Sequence, residues 1–355
     1  MKKLNVCVLF GGMSPEHEVS LRSAQFVLNN LDPEKYNVFP VGITREGDWF
    51  LFGSQDYSML PSGAWQSCQD NRRAAISPVR GQGLLHFEGD CVVRELIDVV
   101  FPVLHGENGE DGAMQGLLQL AGIPFVGPGV AASAVAMDKT LTKLVADNEG
   151  IVQAEWLLAK RCDIETRCDV LLDKIEGKFT YPVFIKPAGT GSSVGVSKAA
   201  NREAAEAALI HASKFDDKIL VEEFIDGYEV EVAVMGNDIP VASICGEIDS
   251  GAEFYDYDAK YVSDTSVAYI PARISDAVAE NTRQNAIRIY TAMGCKGLSR
   301  VDFFVTRNDN RIVFNEINTL PGFTSISMYP KLFCASGFTP GELVDELLKL
   351  ALEAK

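Results

Sequence analysis

Arg300 to Ser327 reads RVDFFVTRNDNRIVFNEINTLPGFTSIS, and the fold is decided there. Val301 to Thr306 and Ile312 to Ile317 are apolar, β-branched and aromatic runs, parted by the turn-forming cluster Arg307-Asn308-Asp309-Asn310. That pattern predicts a β-hairpin. Side chains alternate faces along a strand, so Arg300, Asp302 and Phe304 share one side of the first strand. Glu316 and Asn318 share one side of the second. A connection of odd length, or a bulge, sets Asp302 opposite Glu316 and Arg300 opposite Asn318. Two carboxylates and an amide oxygen then converge beside a guanidinium. Unpaired carboxylates in a half-buried sheet repel each other and resist desolvation. A hard cation relieves both costs, and Mg2+ takes such oxygens together with the phosphates of a nucleotide. The alternative is a solvated hairpin face with an ordinary ion pair. The turn Leu320-Pro321-Gly322-Phe323-Thr324-Ser325 favours the ligand site, because glycine lets the backbone approach a bound group closely.

A chain of 355 residues suits two or three domains, and 47% hydrophobic with 9% aromatic residues indicates a globular fold. The net charge of −17 argues against a nucleic-acid backbone as main partner. A few local lysines can still hold a polyanion. Eight cysteines (7, 68, 91, 162, 168, 245, 295 and 334) are scattered without a Cys-x-x-Cys pair. They fit neither a disulfide framework nor a zinc site, and so point to a reducing cytoplasm. Lys2-Lys3 precedes an apolar run that ends at Phe10 without a small-residue cleavage site, so no secretory signal is expected. No apolar stretch approaches membrane-spanning length, so no membrane partner is expected either.

Leu4 to Phe10 reads as a buried parallel strand, Gly11-Gly12 as a turn, Ser14 as an N-cap and Pro15 as the first residue of a helix reaching about Asn30. This unit opens a doubly wound α/β domain, in which ligands sit at the carboxyl ends of strands. Glu16 and Glu18, in the first turn, serve either a ligand or the helix dipole. Tyr36 to Ile43 and Trp49 to Phe52 read as strands, and about 53–90 as a polar, irregular insertion. Ile97 to Leu104 is a strand ending in His105-Gly106-Glu107-Asn108-Gly109-Glu110-Asp111-Gly112, a ligand loop in which His105 is alternatively a hydrogen-bonded loop histidine. A helix over Ala113 to Ala121 and a short strand over Ile123 to Val126 close the unit. One helix is expected from Val130 to Gly150, with Lys139 on it in a position that usually faces solvent.

Tyr181 to Pro187 puts Lys186 at the end of an apolar strand, before the loop Ala188-Gly189-Thr190-Gly191-Ser192-Ser193-Val194-Gly195-Val196-Ser197. Backbone N–H groups and hydroxyls of such a loop can surround phosphate oxygens, with the lysine as counter-charge. Neither standard nucleotide fingerprint is present. Ile219 to Ile225 and Tyr228 to Met235 read as strands whose backbone can meet an adenine, while Glu222 and Glu229 can reach amino and ribose groups. Phe254 to Tyr261 alternates aromatic and acidic residues and suggests a structured lid. Helices are expected over Ala277 to Met293 and Pro340 to Leu352.

Taken together, these residues resemble the ATP-grasp superfamily and, within it, the D-alanine–D-alanine ligases. The likeness runs nearly end to end. It rests on Gly11-Gly12-x-Ser14-x-Glu16-His17-Glu18-Val19-Ser20, His105-Gly106-x-x-Gly109-Glu110-Asp111-Gly112, Met137-Asp138-Lys139 and Lys186-Pro187-x-x-x-Gly191-Ser192-Ser193-Val194-Gly195. Tyr257-Asp258-Ala259-Lys260-Tyr261 and Arg300-Val301-Asp302 through Ser327-Met328-Tyr329-Pro330 complete it. The resemblance implies a multi-domain α/β and α+β fold of the ATP-grasp type: an N-terminal doubly wound parallel-sheet substrate domain over 1–128, a central subdomain with the glycine-rich loop over 129–222, and a C-terminal subdomain with lid and metal site over 223–355. It implies a cytoplasmic homodimer that joins two D-alanines with ATP, for peptidoglycan and hence cell wall and cell shape.

The same resemblance gives each residue a role. Asp302, Glu316 and Asn318 would hold two Mg2+ ions, with Mn2+ able to replace them. Lys139 and Lys186 match contacts to the α- and β-phosphates, and Lys260 one to the γ-phosphate. Ser192 and Ser193 belong to the loop over the phosphates; Glu222, Glu223, Phe224, Ile225, Glu229 and Phe304 belong to the nucleotide site. Glu16 matches the acid for the first D-alanine's ammonium, and Ser192 and Tyr261 its link to the lid. Arg300 and the backbone at Gly322 would stabilise the oxyanion. His105, Ser327 and Met328 match positions near the substrates. Related ligases use D-serine or D-lactate as second substrate; Lys260-Tyr261 and Ser327-Met328 look like the dipeptide-forming kind. A non-catalytic nucleotide-binding module is the reading from another class. Arg273 departs from the pattern and has no role in it.

Overall fold

A computed structural model of the chain describes residues 2–249 and 267–354. The expected lid over Phe254 to Tyr261, with Lys260 and Tyr261, lies outside them. Strand β1 (Leu4–Gly11) buries its last six residues in succession, as a strand covered on both faces does. Gly11 ends it with φ +87°, where a Cβ would stand 2.2 Å from the Ile43 carbonyl oxygen. Helix α1 covers His17–Asn29. It begins two residues later than expected, because the Ser14 hydroxyl accepts the Glu16 N–H and shapes the turn instead of capping the helix. Glu16 becomes the N-cap residue without capping through its side chain, which leaves its carboxylate available.

Strands β2 (Tyr36–Ile43), β3 (Trp49–Leu51), β4 (Arg72–Ile76), β5 (Leu84–Glu88), β6 (Cys91–Glu95) and β7 (Val99–Val103) complete a seven-stranded sheet in the order β6-β5-β4-β3-β2-β1-β7. Its parallel core is β2-β1-β7. α1 packs on the Val6, Val8, Phe10 face, and α2 (Ala113–Ala121) on the Cys7, Leu9 face. Residues 53–90 are more ordered than their polarity suggested. They supply β4, β5 and the fully buried Trp65, set edge-on to Phe10 at 5.1 Å. Ile123 to Val126 makes a single bridge, Phe125 to Val100, instead of a strand.

The expected long helix is two: α3 (Val130–Met137) and α4 (Lys139–Asn148). Asp138 parts them, its backbone extended and its side chain accepting the N–H groups of Thr140 and Leu141. An aspartate that finds backbone donors competes with the helix and starts a new one. Lys139 therefore opens α4 beside the cleft. The second sheet combines β8 (Trp156–Lys160), β9 (Val183–Pro187), β10 (Ser197–Ala199) and β11 (Lys218–Glu223) in the order β10-β9-β11-β8. Helices α5 (Arg161–Lys178) and α6 (Arg202–Ala212) pack their apolar sides against it.

The third sheet holds β12 (Gly227–Gly236), β13 (Val241–Ala242), β14 (Gly246–Asp249), β15 (Val267–Tyr269), β16 (Gly297–Thr306) and β17 (Ile312–Asn318). Its order is β15-β14-β12-β16-β17, with β13 on β12. Helix α7 (Asp276–Ala292) covers one face together with α3 and α4. Helices α8 (Met328–Ala335) and α9 (Pro340–Glu353) share one apolar core with α1 and β1, so the C-terminal helices weld the first sheet to the third. The cleft lies at that seam.

Candidate active site

The β16–β17 hairpin has the register its alternation called for. Arg300 pairs with Asn318 and Asp302 with Glu316; the pairing then passes to Phe303 and Phe314, leaving Asn315 as the extra residue of a bulge. On the other side of β16, Asp302 faces Glu231 of β12. Three carboxylates thus lie in register across adjacent strands, and Arg300 is set among them. Its Nε and Nη2 each stand 2.7 Å from an oxygen of Asp302, and Nε lies 3.1 Å from Glu231 Oε2. Burial alone would favour the neutral guanidinium; the charges of Asp302 and Glu231 outweigh it and hold Arg300 well above its ordinary pKa. Arg300 is a fixed, permanent cation.

Asn318 directs Nδ2 to Asp302 Oδ2 at 2.9 Å. Turned over, the same amide presents oxygen. Among the described residues, no three or more His, Cys, Asp or Glu side chains come together as a ready cation site. The set Asp302, Glu316 and Asn318 is two carboxylates and an amide. It fits a hard cation such as Mg2+ that completes its shell with phosphate oxygens and water.

A cleft of about 850 Å3 opens beside this hairpin, lined by Glu16, His105, Lys139, Ser192, Arg300, Glu316, Asn318, Gly322, Ser327 and Met328, among others. The glycine-rich loop closes one side. Ser192 and Ser193 adopt φ of +49° and +58°, unusual for residues with a side chain and costing each of order 1 kcal/mol. Lys139 Nζ donates to the Thr190 carbonyl at 2.6 Å, and Gly189 N–H to Asp216 at 2.7 Å. Ser192 Oγ donates to Glu16 Oε1 at 2.5 Å, tying the loop to the start of α1. Gly106, with φ +70°, completes the pocket around Glu16, since a Cβ there would lie 2.6 Å from Glu16 Oε2.

Behind the loop, Lys186 on β9 and Glu222 on β11 are diagonal neighbours, 2.6 Å apart. Lys143 of α4 meets the other Glu222 oxygen at 2.5 Å. Burial would raise the Glu222 pKa, but the two ammonium groups pull it down to about 2. Phe184 and Phe224 stack nearby at 6.1 Å, and Lys198 stands 4.6 Å above the Phe224 ring. Glu223 turns the other way, its carboxylate accepting the Glu155 N–H. Glu229 and Phe304 are opposite one another in the β12–β16 register, and Ile225 is half-buried in the β11–β12 connection.

At the far end of the cleft, Ser327 Oγ accepts the Thr324 N–H at 3.0 Å, and the buried Met328 opens α8. His105 is buried: Nδ1 meets the Leu320 carbonyl at 2.8 Å and Nε2 meets Ser23 Oγ at 3.1 Å. Burial lowers its pKa against the pull of Glu16 and Leu320, so it is neutral, with Nδ1–H donating and Nε2 accepting. Glu110 accepts from Gly106 N–H and Leu320 N–H, both at 2.8 Å, joining the two loops that frame the cleft. Burial and then the Glu16 charge push its pKa to about 8, against those donors and Arg300.

A carboxyl raised from its ordinary value near 4.5 to about 8 on folding favours the folded state while it keeps its proton. That contribution is complete below the lower value and is lost as pH rises through the upper one. Glu110→Gln has no such slope. Raising pH from about 5 to about 8.5 is therefore expected to cost the wild type roughly 5 °C or more in Tm relative to the variant. Thermal melts at both pH values check this; a difference that stays constant or grows in the wild type's favour contradicts it.

Sequence reasoning passed over Lys143, Glu110 and Glu231. Lys143 lies one turn beyond Lys139 on the same helix face, and Glu231 lies two residues beyond Glu229 on the same strand face, so both spacings carried the signal. Arg273 also has a place. It donates to Glu247 and Asp249 of β14 and stacks 3.6 Å over Tyr269 of β15, joining these two strands.

Residues 5–128 match the model of the D-ala D-ala ligase N-terminus and residues 145–349 that of the D-ala D-ala ligase C-terminus. The chain is 48% identical to a D-alanine–D-alanine ligase of Acetivibrio thermocellus, over 99% of this chain and 96% of that one. It is 48% identical to a D-alanine–D-alanine ligase of Clostridium novyi, over 99% of each. Among solved structures, the VanG D-Ala:D-Ser ligase from Enterococcus faecalis superposes with a TM-score of 0.90 at 38% identity, covering 99% of this chain and 100% of that one. The D-alanine-D-alanine ligase from Coxiella burnetii gives 0.85 at 35%, covering 99% and 95%. With both halves matched and the likeness running end to end, the chain belongs to the D-alanine–D-alanine ligase family, ATP-dependent ligases of ATP-grasp fold.

Proposed function

We propose that this chain joins two D-alanines into D-alanyl-D-alanine for peptidoglycan, with ATP converted to ADP and phosphate. The observation that carries the proposal is the β16–β17 register, which sets Arg300, Glu316 and Asn318 on the wall of one cleft with Glu16 and the glycine-rich loop, and Asp302 against Arg300. Glu16, anchored by Ser192, would take the ammonium of the first D-alanine. The carboxylate oxygen of that D-alanine then bonds to the γ-phosphorus of ATP as the bond to the β-phosphate oxygen breaks, giving D-alanyl phosphate and ADP. The amine of the second D-alanine attacks the acyl carbon. The tetrahedral intermediate collapses with loss of phosphate, which takes up the proton that the nitrogen gives up.

Arg300 is suited to stabilise the oxyanion because its charge is permanent and its orientation is fixed by Asp302 and Glu231. Lys139 and Lys186 would bear on the phosphates, Ser193 and its neighbours would cover them, and Glu222, Glu223, Phe224, Ile225, Glu229 and Phe304 would form the nucleotide site. His105, Gly322, Ser327 and Met328 would frame the substrates. Asp302, Glu316 and Asn318 would hold Mg2+, two ions or Mn2+ in their place, which neutralises charge on the triphosphate. Lys260 and Tyr261 would belong to a lid. We assign the substrate domain to 1–128 and the two ATP-grasp subdomains to 129–222 and 223–355, and we place the protein in the cytoplasm as a homodimer. No helix among the described residues is long and apolar enough to cross a membrane.

D-serine is the second reading for the acceptor, favoured by the E. faecalis structural neighbour. A product assay decides between them. Mg-ATP with D-alanine alone is expected to release phosphate and give D-alanyl-D-alanine. Turnover that needs added D-serine or D-lactate would overturn the assignment.

A further inference from the structure

Lys143 is among the largest fully buried side chains of the protein, and the proposed chemistry leaves it without a task. A buried ammonium is costly and persists only when paired. Its partner is Glu222 Oε1, at 2.5 Å, while Lys186 takes Oε2 at 2.6 Å. The three side chains are graded in depth: Lys143 is 2% exposed, Glu222 5%, and Lys186 17%. The glutamate is thus claimed from the interior by one lysine and from the more exposed side by the other. Gln153 steadies the rear lysine, with Oε1 3.4 Å from its Nζ and Nε2 donating to its carbonyl at 2.8 Å.

Two ammonium groups thus share one carboxylate behind the glycine-rich loop. The consequence is clearest when Lys186 turns toward an anion. Were Lys186 the only partner of Glu222, leaving it would strand a buried carboxylate, a loss comparable to anything a phosphate contact returns. With Lys143 in place, Glu222 stays compensated. Glu229 and Glu316 of the neighbouring sheet also attract Lys186, which keeps it charged as it leaves Glu222.

We propose that Lys143 is a positioning residue for the nucleotide: by holding Glu222 from the interior, it frees Lys186 to bind a phosphate of ATP. The proposal rests on the ATP-dependent reading above. Lys143 never touches the nucleotide; it acts through Glu222.

The test is a double-mutant comparison on the full chain, reading Mg-ATP dissociation constants by calorimetry and KM for ATP and for D-alanine separately. Lys143→Met is expected to weaken Mg-ATP binding about tenfold or more, with KM for D-alanine changing less than about threefold. In a Glu222→Gln background there is no carboxylate to compensate, and adding Lys143→Met is expected to change Mg-ATP binding less than about threefold. This pair keeps the test open even if Lys143→Met alone folds poorly, because the double variant strands no buried carboxylate. Equal losses in both backgrounds would make Lys143 a packing residue and overturn the proposal, as would unchanged affinity in the single variant. A wild-type protein that fails to bind Mg-ATP would instead overturn the reading on which the proposal stands.

Discussion

Arg300→Ala is expected to lower kcat by about 10²–10³, while KM for ATP changes less than about threefold. The asymmetry follows from where the guanidinium is aimed. It is fixed by Asp302 and Glu231 before any substrate arrives, so its interaction grows only as negative charge develops on the reacting oxygen. The same substitution strands two buried carboxylates and is expected to cost about 3–5 kcal/mol of stability. Arg300→Lys separates these effects. A lysine retains the charge, and hence most of the stability, but one ammonium cannot reproduce the two-pronged grip on Asp302 that sets the direction. Thermal melts and steady-state kinetics on both variants check this. A rise in KM for ATP that matches the fall in kcat would place Arg300 in nucleotide binding instead.

Glu316→Gln is expected to raise the Mg2+ concentration for half-maximal activity at least about tenfold and to lower kcat by about 10²–10³. The substitution keeps the shape of the side chain and removes one charge from the cleft wall, opposite Asp302 in the hairpin. Stability should change little, because Glu316 is less buried than Asp302. A magnesium titration of activity, with Tm measured alongside, gives both numbers. Unchanged magnesium dependence would remove Glu316 from the cation site.

The parts of this site that were legible in the sequence are those governed by strict periodicity or by short motifs. Alternation along β16 and β17 gave Asp302 and Glu316 faces that meet if a bulge or an odd-length connection intervenes, and the bulge itself, at Asn315, needed coordinates. The first sheet's parallel core followed from an unbroken apolar run. What stayed hidden depended on contacts between segments far apart in the chain. Lys143 was passed over because a helix sequence does not report what a neighbouring sheet places against it. The protonated state of Glu110 arises from burial and from Glu16, which the loop sequence does not mention. The break at Asp138 escaped notice because hydrophobic spacing continues across it, while a single side chain capturing two N–H groups ended one helix and began another.

The central claim is that this cleft activates a D-alanine carboxylate with ATP, and trapping the activated acid tests it most directly. Wild-type protein incubated with Mg-ATP, D-alanine and hydroxylamine is predicted to form D-alanine hydroxamate together with ADP, and Glu316→Gln to form little of either. ADP released without hydroxamate, or dipeptide made at full rate while no acyl group can be trapped, would contradict it.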